Sequence, residues 1–358
     1  MDPLYLKTAP PLDPEWLKYE QEAGLNKPRP AYASPLDRQP AYAAECRALS
    51  ANAMAPGSRD HHLSAAVKTT ALTVPSSADG FPIPVLRYEG ADSPAPAEGL
   101  GASVAVVVVY IHGGGLVVGE ADSEDLTCRR IVAELSSSSP ELGSVVVFSV
   151  GYRLMPAHPA ATCVSDCADA LAHVVAVARH SDCGGGDDGA RPSAKVILVG
   201  SSSGGQLAAL VSQQQAAGTV NGVVLRCPVT SDAFRGVDGY VPRGLRALHT
   251  SASEPSFRNS LLGRMDRAVA RDGLERMPLE APAGLLAGLP RTWVQVCTND
   301  VLYSDGVCYA RALRDAGVEV RVDVVRGWPH TFWLKAPHLP RALEAERAML
   351  EGLAWVAG

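Results

Sequence analysis

Strand-like and helical patterns alternate along this chain and predict an α/β fold, a mostly parallel eight-stranded sheet covered by helices on both faces. Three observations carry the prediction. Residues 104–109 are the most apolar stretch of the chain and empty into a Gly-rich loop, as a buried strand would. The run Val196-Ile197-Leu198-Val199 passes through Gly200-Ser201-Ser202-Ser203-Gly204 into Gly205-Gln206-Leu207-Ala208-Ala209-Leu210, which reads as strand, tight turn and helix. Residues 318–325, Val-Glu-Val-Arg-Val-Asp-Val-Val, alternate apolar and polar as a strand with one wet face does.

Taken in order, residues 1–65 are rich in proline, with helical patches at 14–21 and 41–51, and precede the first strand. Strands are predicted at 69–74, 83–88, 103–111, 144–150, 195–199, 222–226, 291–297 and 318–325. Helices are predicted between them at 123–135, 161–178, 204–217 and 304–316, and a last one at 341–356. Residues 231–289, including a helical stretch at 256–271, stand outside the alternation, and residues 181–189 read as a flexible Gly/Asp loop.

The chemistry gathers where strands end, as open α/β sheets require. Glycines two positions either side of Ser202 allow a strained turn that lifts its hydroxyl over the end of the sheet. Only this serine is so flanked; Ser201 and Ser203 are not. Tyr110-Ile111-His112-Gly113-Gly114-Gly115 supplies a nearly bare backbone whose N–H groups can approach a developing oxyanion, while His112 shapes the loop. The strand at 291–297 leads to Thr298-Asn299-Asp300, and the strand at 318–325 leads to Trp328-Pro329-His330. The order Ser202, Asp300, His330 matches one of the three known serine-hydrolase orders.

His112-Gly113-Gly114-Gly115, Tyr152-Arg153-Leu154-Met155-Pro156-Ala157-His158-Pro159, Gly200-Ser201-Ser202-Ser203-Gly204-Gly205, Asp300-Val301-Leu302 and His330-Thr331-Phe332 stand in this order over residues 104–333. In this the chain resembles the hormone-sensitive-lipase family of carboxylesterases, α/β-hydrolases whose usual marks are H-G-G-G, Y-R-L-A-P-E-H-P, G-D-S-A-G-G, D-P-L and H-G-F. The resemblance implies Ser202 as nucleophile, His330 as general base and Asp300 as orienting acid. It implies an oxyanion hole built from the Ser203 N–H with glycine N–H groups drawn from Gly113, Gly114 and Gly115. It also implies a helical cap, with residues 1–65 as its N-terminal segment and 231–289 as an insertion into a core at 66–358. Where the family has Asp, Ala and Glu, this chain has Ser201, Ser203 and Ala157.

Other candidates read as structural. Asp305 lies in Ser304-Asp305-Gly306, which looks like a helix N-cap. His158 sits between prolines, and His173 and His180 fall on an Ala/Val-rich helix. Trp328, Phe332 and Trp333 fit a pocket wall and a core equally well.

With 358 residues and 47% hydrophobic content, the chain is long enough for one large α/β domain. A net charge of −6 without a basic stripe excludes a nucleic-acid partner. The eight cysteines include no C-x-x-C and no metal-ligand spacing, so neither metal nor cofactor is expected. The acidic N-terminus has no apolar core, which argues against a signal peptide, and residues 104–111 are too short to cross a membrane. The expectation is a cytoplasmic enzyme acting on a small-molecule ester, with no membrane partner, and homodimerisation is common among relatives of the resembled family. Amide or formamide hydrolysis, a biosynthetic tailoring step and a catalytically silent ligand-binding protein remain open on the same scaffold.

Overall fold

The computed structural model describes residues 2–27, 32–93, 100, 104–180, 194–258, 262, 267 and 269–358. The loop expected at 181–189 and half of the helix expected at 256–271 lie outside the described residues.

Eight strands, β1 (Val67–Pro75), β2 (Pro82–Gly90), β3 (Val104–Ile111), β4 (Ser144–Val150), β5 (Lys195–Ser201), β6 (Gly222–Arg226), β7 (Arg291–Asn299) and β8 (Val320–Pro329), form one sheet. Their order is β1-β2-β4-β3-β5-β6-β7-β8. The β1–β2 and β2–β4 pairs are antiparallel, and the pairs from β4 through β8 are parallel. The described helices are α1 (Pro14–Glu22), α2 (Pro35–Ala53), α3 (His62–Ala66), α4 (Asp125–Ser138), α5 (Ala160–His180), α6 (Ser203–Gln214), α7 (Val237–Tyr240), α8 (Ala283–Leu286), α9 (Tyr303–Asp315), α10 (Phe332–Lys335) and α11 (Pro340–Ala357).

The period-two geometry of a strand explains why the apolar run of β3 needs no polar face. Val107, Val109 and Ile111 enter one core cluster with α5, α6 and α9, whereas Val106, Val108 and Tyr110 enter another with α4 and α11. Both faces are covered, and each fully buried valine contributes about 1.5–3 kcal/mol. Helix α5 is apolar and long enough to cross a membrane by length and composition. Here it buries Cys163, Val164, Cys167, Ala170, Leu171 and Val174 in the first cluster.

Two boundaries differ from expectation. β8 begins at Val320 and continues to Pro329, so His330 follows the strand directly. Asp305 is not an N-cap: α9 begins at Tyr303, and the Asp305 carboxylate is buried inside its first turn. There it accepts the N–H groups of Thr230 and Ser231, both at 2.7 Å, and contacts His249 Nε2 at 2.8 Å. The buried Thr230 and Ser231 donors require an acceptor, and that need outweighs capping.

Residues 10–16 lie against the carboxyl ends of β7 and β8. α1 starts at Pro14 behind Asp13, whose side chain accepts the Glu15 N–H at 2.8 Å. Its Trp16 is fully buried and meets Trp328 edge-on, with ring centroids 6.0 Å apart. The Ala9 N–H donates to Ser256 Oγ at 2.9 Å and Thr250 donates to the Leu6 carbonyl, so the N-terminal segment touches 231–289 as well as the core.

Candidate active site

β3 and β5 are neighbours in register, with Ile111 opposite Gly200. The strand order reverses direction here, since β4 lies on one side of β3 and β5 on the other, and it is at the carboxyl ends of such a switch point that open α/β sheets place their sites. Ser202 occupies the turn with φ 56° and ψ −119°, a conformation that costs a side-chain-bearing residue roughly 1–3 kcal/mol. Close packing holds it there. A Cβ on Gly204 would stand 2.0 Å from the Ile111 carbonyl oxygen, and one on Gly200 would stand 2.2 Å from the Gly204 oxygen. The backbone is fixed further by Ser202 N–H donating to the Arg226 carbonyl at 2.8 Å.

The structure brings Ser202, His330 and Asp300 together. His330 Nε2 lies 2.9 Å from Ser202 Oγ, and His330 Nδ1 lies 2.6 Å from Asp300 Oδ2. A carboxylate accepts only, so Nδ1 carries a proton, and in the neutral imidazole Nε2 is left to receive one from serine. The other Asp300 oxygen accepts the Leu302 N–H at 3.0 Å. Burial alone would lower the His330 pKa, but the charge and hydrogen bond of Asp300, with help from Cys227, raise it to about 10.

The glycine loop turns through positive φ at Gly114 (124°) and Gly115 (66°). Gly113 is corrected as a candidate donor, because its N–H is already given to Glu124 Oε1 at 2.9 Å. Among the described residues the N–H groups of Gly114 and Gly115 have no such partner. Ser203, first residue of α6, has an N–H beyond the reach of the intrahelical ladder. Its hydroxyl also accepts the Leu116 N–H at 3.3 Å, so the serine that replaces the family's alanine braces the loop.

His112 shapes this loop, as expected. Its ring stacks on Tyr152 at 4.3 Å, its Nδ1 lies 2.6 Å from the Gly113 carbonyl, and a Cβ on Gly119 would collide with it. Burial lowers its pKa to about 4, so the ring is neutral at pH 7. The loop that carries Ala157 is held at Arg153, which binds Asp166 through Nη2 at 2.8 Å and through its backbone N–H at 2.9 Å. Trp328, Phe332 and Trp333 are buried together as core beneath the histidine.

Two further residues were missed. Glu124 is buried between the Gly113 N–H and the Tyr110 hydroxyl, which donates to its Oε2 at 2.5 Å, and burial raises its pKa. Cys227 follows β6, fully buried, in contact with His330 and Cys297. Its place at a strand end was the available signal.

A family model described as the alpha/beta hydrolase fold matches residues 108–334. Esterase LipI of Mycobacterium tuberculosis is 30% identical over 253 residues, covering 70% of this chain and 72% of LipI. FAD-linked oxidoreductase pytB of Aspergillus terreus is 31% identical over 264 residues, covering 70% of this chain but 29% of pytB, so the chain spans less than a third of that relative. The esterase of Pyrobaculum calidifontis shares the fold, with a TM-score of 0.68 at 24% identity over 97% of this chain and 99% of that one.

Proposed function

The chain belongs to the α/β-hydrolase fold family, in its hormone-sensitive-lipase-like branch, and on that premise we propose that it is a serine esterase. It cleaves a small-to-medium carboxylic ester through an acyl-enzyme. The observation that carries this reading is the continuous relay from Ser202 Oγ to His330 Nε2 and from His330 Nδ1 to Asp300 Oδ2. The esterase named among its relatives supports an ester as substrate.

In the first half-reaction His330 Nε2 takes the Ser202 proton as Oγ attacks the ester carbonyl. Negative charge moves onto the carbonyl oxygen, where the N–H groups of Gly114, Gly115 and Ser203 receive it. Each such donor contributes about 2.7–4 kcal/mol. Asp300 keeps the imidazole in the required tautomer and stabilises the imidazolium, which then gives its proton to the leaving alcohol. Water, activated by the same nitrogen, attacks the acyl-enzyme and releases the acid. Residues 1–65 and 231–289 are assigned to the cap that sizes the acyl pocket, an assignment supported by the hydrogen bonds joining Ala9 to Ser256 and Leu6 to Thr250.

The test is hydrolysis of p-nitrophenyl esters from acetate to palmitate, with Ser202→Ala as control and fluorophosphonate labelling alongside. The reading expects turnover and labelling in the wild type alone. Equal turnover by a folded Ser202→Ala protein would refute it, and a folded wild type that neither turns over nor labels would favour a ligand-binding protein.

A further inference from the structure

The proposed relay does not use Cys227, yet the fold directs effort to placing it. It stands immediately after β6, before Pro228, with φ 44°, a left-handed conformation unusual for a residue with a side chain. Its N–H is fixed to the Gln295 carbonyl at 2.7 Å. The Cys227 sulfur, a carboxylate oxygen of Asp300 and an imidazole nitrogen of His330 all lie within 4.8 Å of one another, and all three residues are buried. Cys297, on the adjacent β7, packs with Cys227 in the same buried cluster.

Sulfur, imidazole nitrogen and carboxylate oxygen form the mixed donor set that d10 cations select. A four-coordinate ion with bonds of roughly 2.0–2.3 Å gathers such donors with small side-chain adjustments. We propose that Cys227, Asp300 and His330 form an inhibitory site for a thiophilic divalent cation of the zinc class. The inhibition rests on the serine-esterase reading; the binding does not.

Binding is an exchange of protons for metal, without redox change. The Cys227 thiol and the His330 Nδ1–H each lose a proton to solvent, and the ion bonds to sulfur, to Nδ1 and to an Asp300 oxygen. Asp300 then no longer accepts from Nδ1, and the imidazole beside a dication cannot collect the Ser202 proton. The cation is thus a brake on the relay, not a resident cofactor.

Cadmium is the probe, because its thiolate complexes absorb in the near ultraviolet. It is titrated into the full-length wild type, Ser202→Ala, Cys227→Ala and Cys227→Ser, each first checked for folding by circular dichroism. The expected result is one cadmium–thiolate band per chain in the wild type and Ser202→Ala, absent from both Cys227 variants. Ester hydrolysis, normalised to each protein's own metal-free rate, is expected to need roughly ten-fold or more cadmium for half-inhibition in Cys227→Ser. An undiminished band in the Cys227 variants, which would place the metal on another cysteine, overturns the proposal, as does equal half-inhibition. If no protein hydrolyses esters, the absorption band alone still decides the site.

Discussion

Gly113 gives its backbone N–H to the buried Glu124 carboxylate at 2.9 Å, and that single bond decides which way the glycine loop faces. The first N–H is thereby committed to the residue that precedes α4, and the next two are the donors proposed for the oxyanion. Replacing Glu124 with alanine frees Gly113 and loosens the proposed donors. We expect kcat to fall roughly 10²–10³-fold with KM little changed. Glu124→Gln retains an acceptor for Gly113 and should lose only a small part of this. Steady-state kinetics of both variants provide the check, and equal losses would remove Glu124 from the loop's support.

The pH dependence follows from His330. Its raised pKa means that the general base is protonated at low pH, so kcat/KM should climb with pH, with a midpoint above the ordinary 6.5. Asp300→Asn removes the charge responsible for the rise and should bring the midpoint down while lowering kcat. For folding, the sign is that of a group with an elevated folded-state pKa. The stabilisation is fully present below pH 6.5 and is lost as pH rises toward about 10. Urea unfolding of Ser202→Ala across that window measures it without turnover; a contribution growing with pH would contradict the assignment.

Gly204→Ala should be among the most damaging small substitutions in the chain. Its Cβ would stand 2.0 Å from a backbone oxygen of β3, which no rotamer change can relieve. A cost of roughly 3 kcal/mol or more is expected, read as a fall in Tm. Gly284→Ala, where nothing lies within 4 Å, serves as the control and should be neutral or slightly stabilising.

Trp16→Ala tests whether the N-terminal segment is integral to the fold. The side chain is fully buried against Trp328, so its removal should cost about 3–5 kcal/mol, the scale of a core residue. A loss below about 1 kcal/mol in chemical denaturation would make the segment an accessory covering.

The legible parts of this chain were those whose physics is local. Ser202 was readable because a strained turn demands glycine at positions 200 and 204, and β5 and β7 end two residues beyond where their apolar runs stop. Glu124 was hidden because its partner comes from a loop whose course depends on α4 docking beside β3. Cys227 stands at a strand end like the other site residues, but the backbone twist at φ 44° that accompanies its place there is not written in the strand pattern. Of the helix expected at 256–271, the described residues show 3-10 turns at Pro255–Arg258 and Ala270–Gly273, the second broken by left-handed backbone at Arg271 and Asp272 that no composition announces.

Asn299, beside the proposed catalytic acid, donates to the Pro10 carbonyl at 2.7 Å across 289 residues of chain, and Asp13 N–H bonds Gly327 at 2.8 Å just before His330. During synthesis residues 10–13 must therefore wait for residues 299 and 327. Since chains emerge at about 5–20 residues per second, residues 10–13 spend tens of seconds without these partners. A nascent chain released between β6 and β7 would carry the serine elbow and the glycine loop, yet lack His330 together with Asn299 and Gly327, which hold residues 10–13. Premature termination would then yield no partially active esterase, and the amino-terminal strap would be the first part of the molecule to reveal an unfinished chain to a protease.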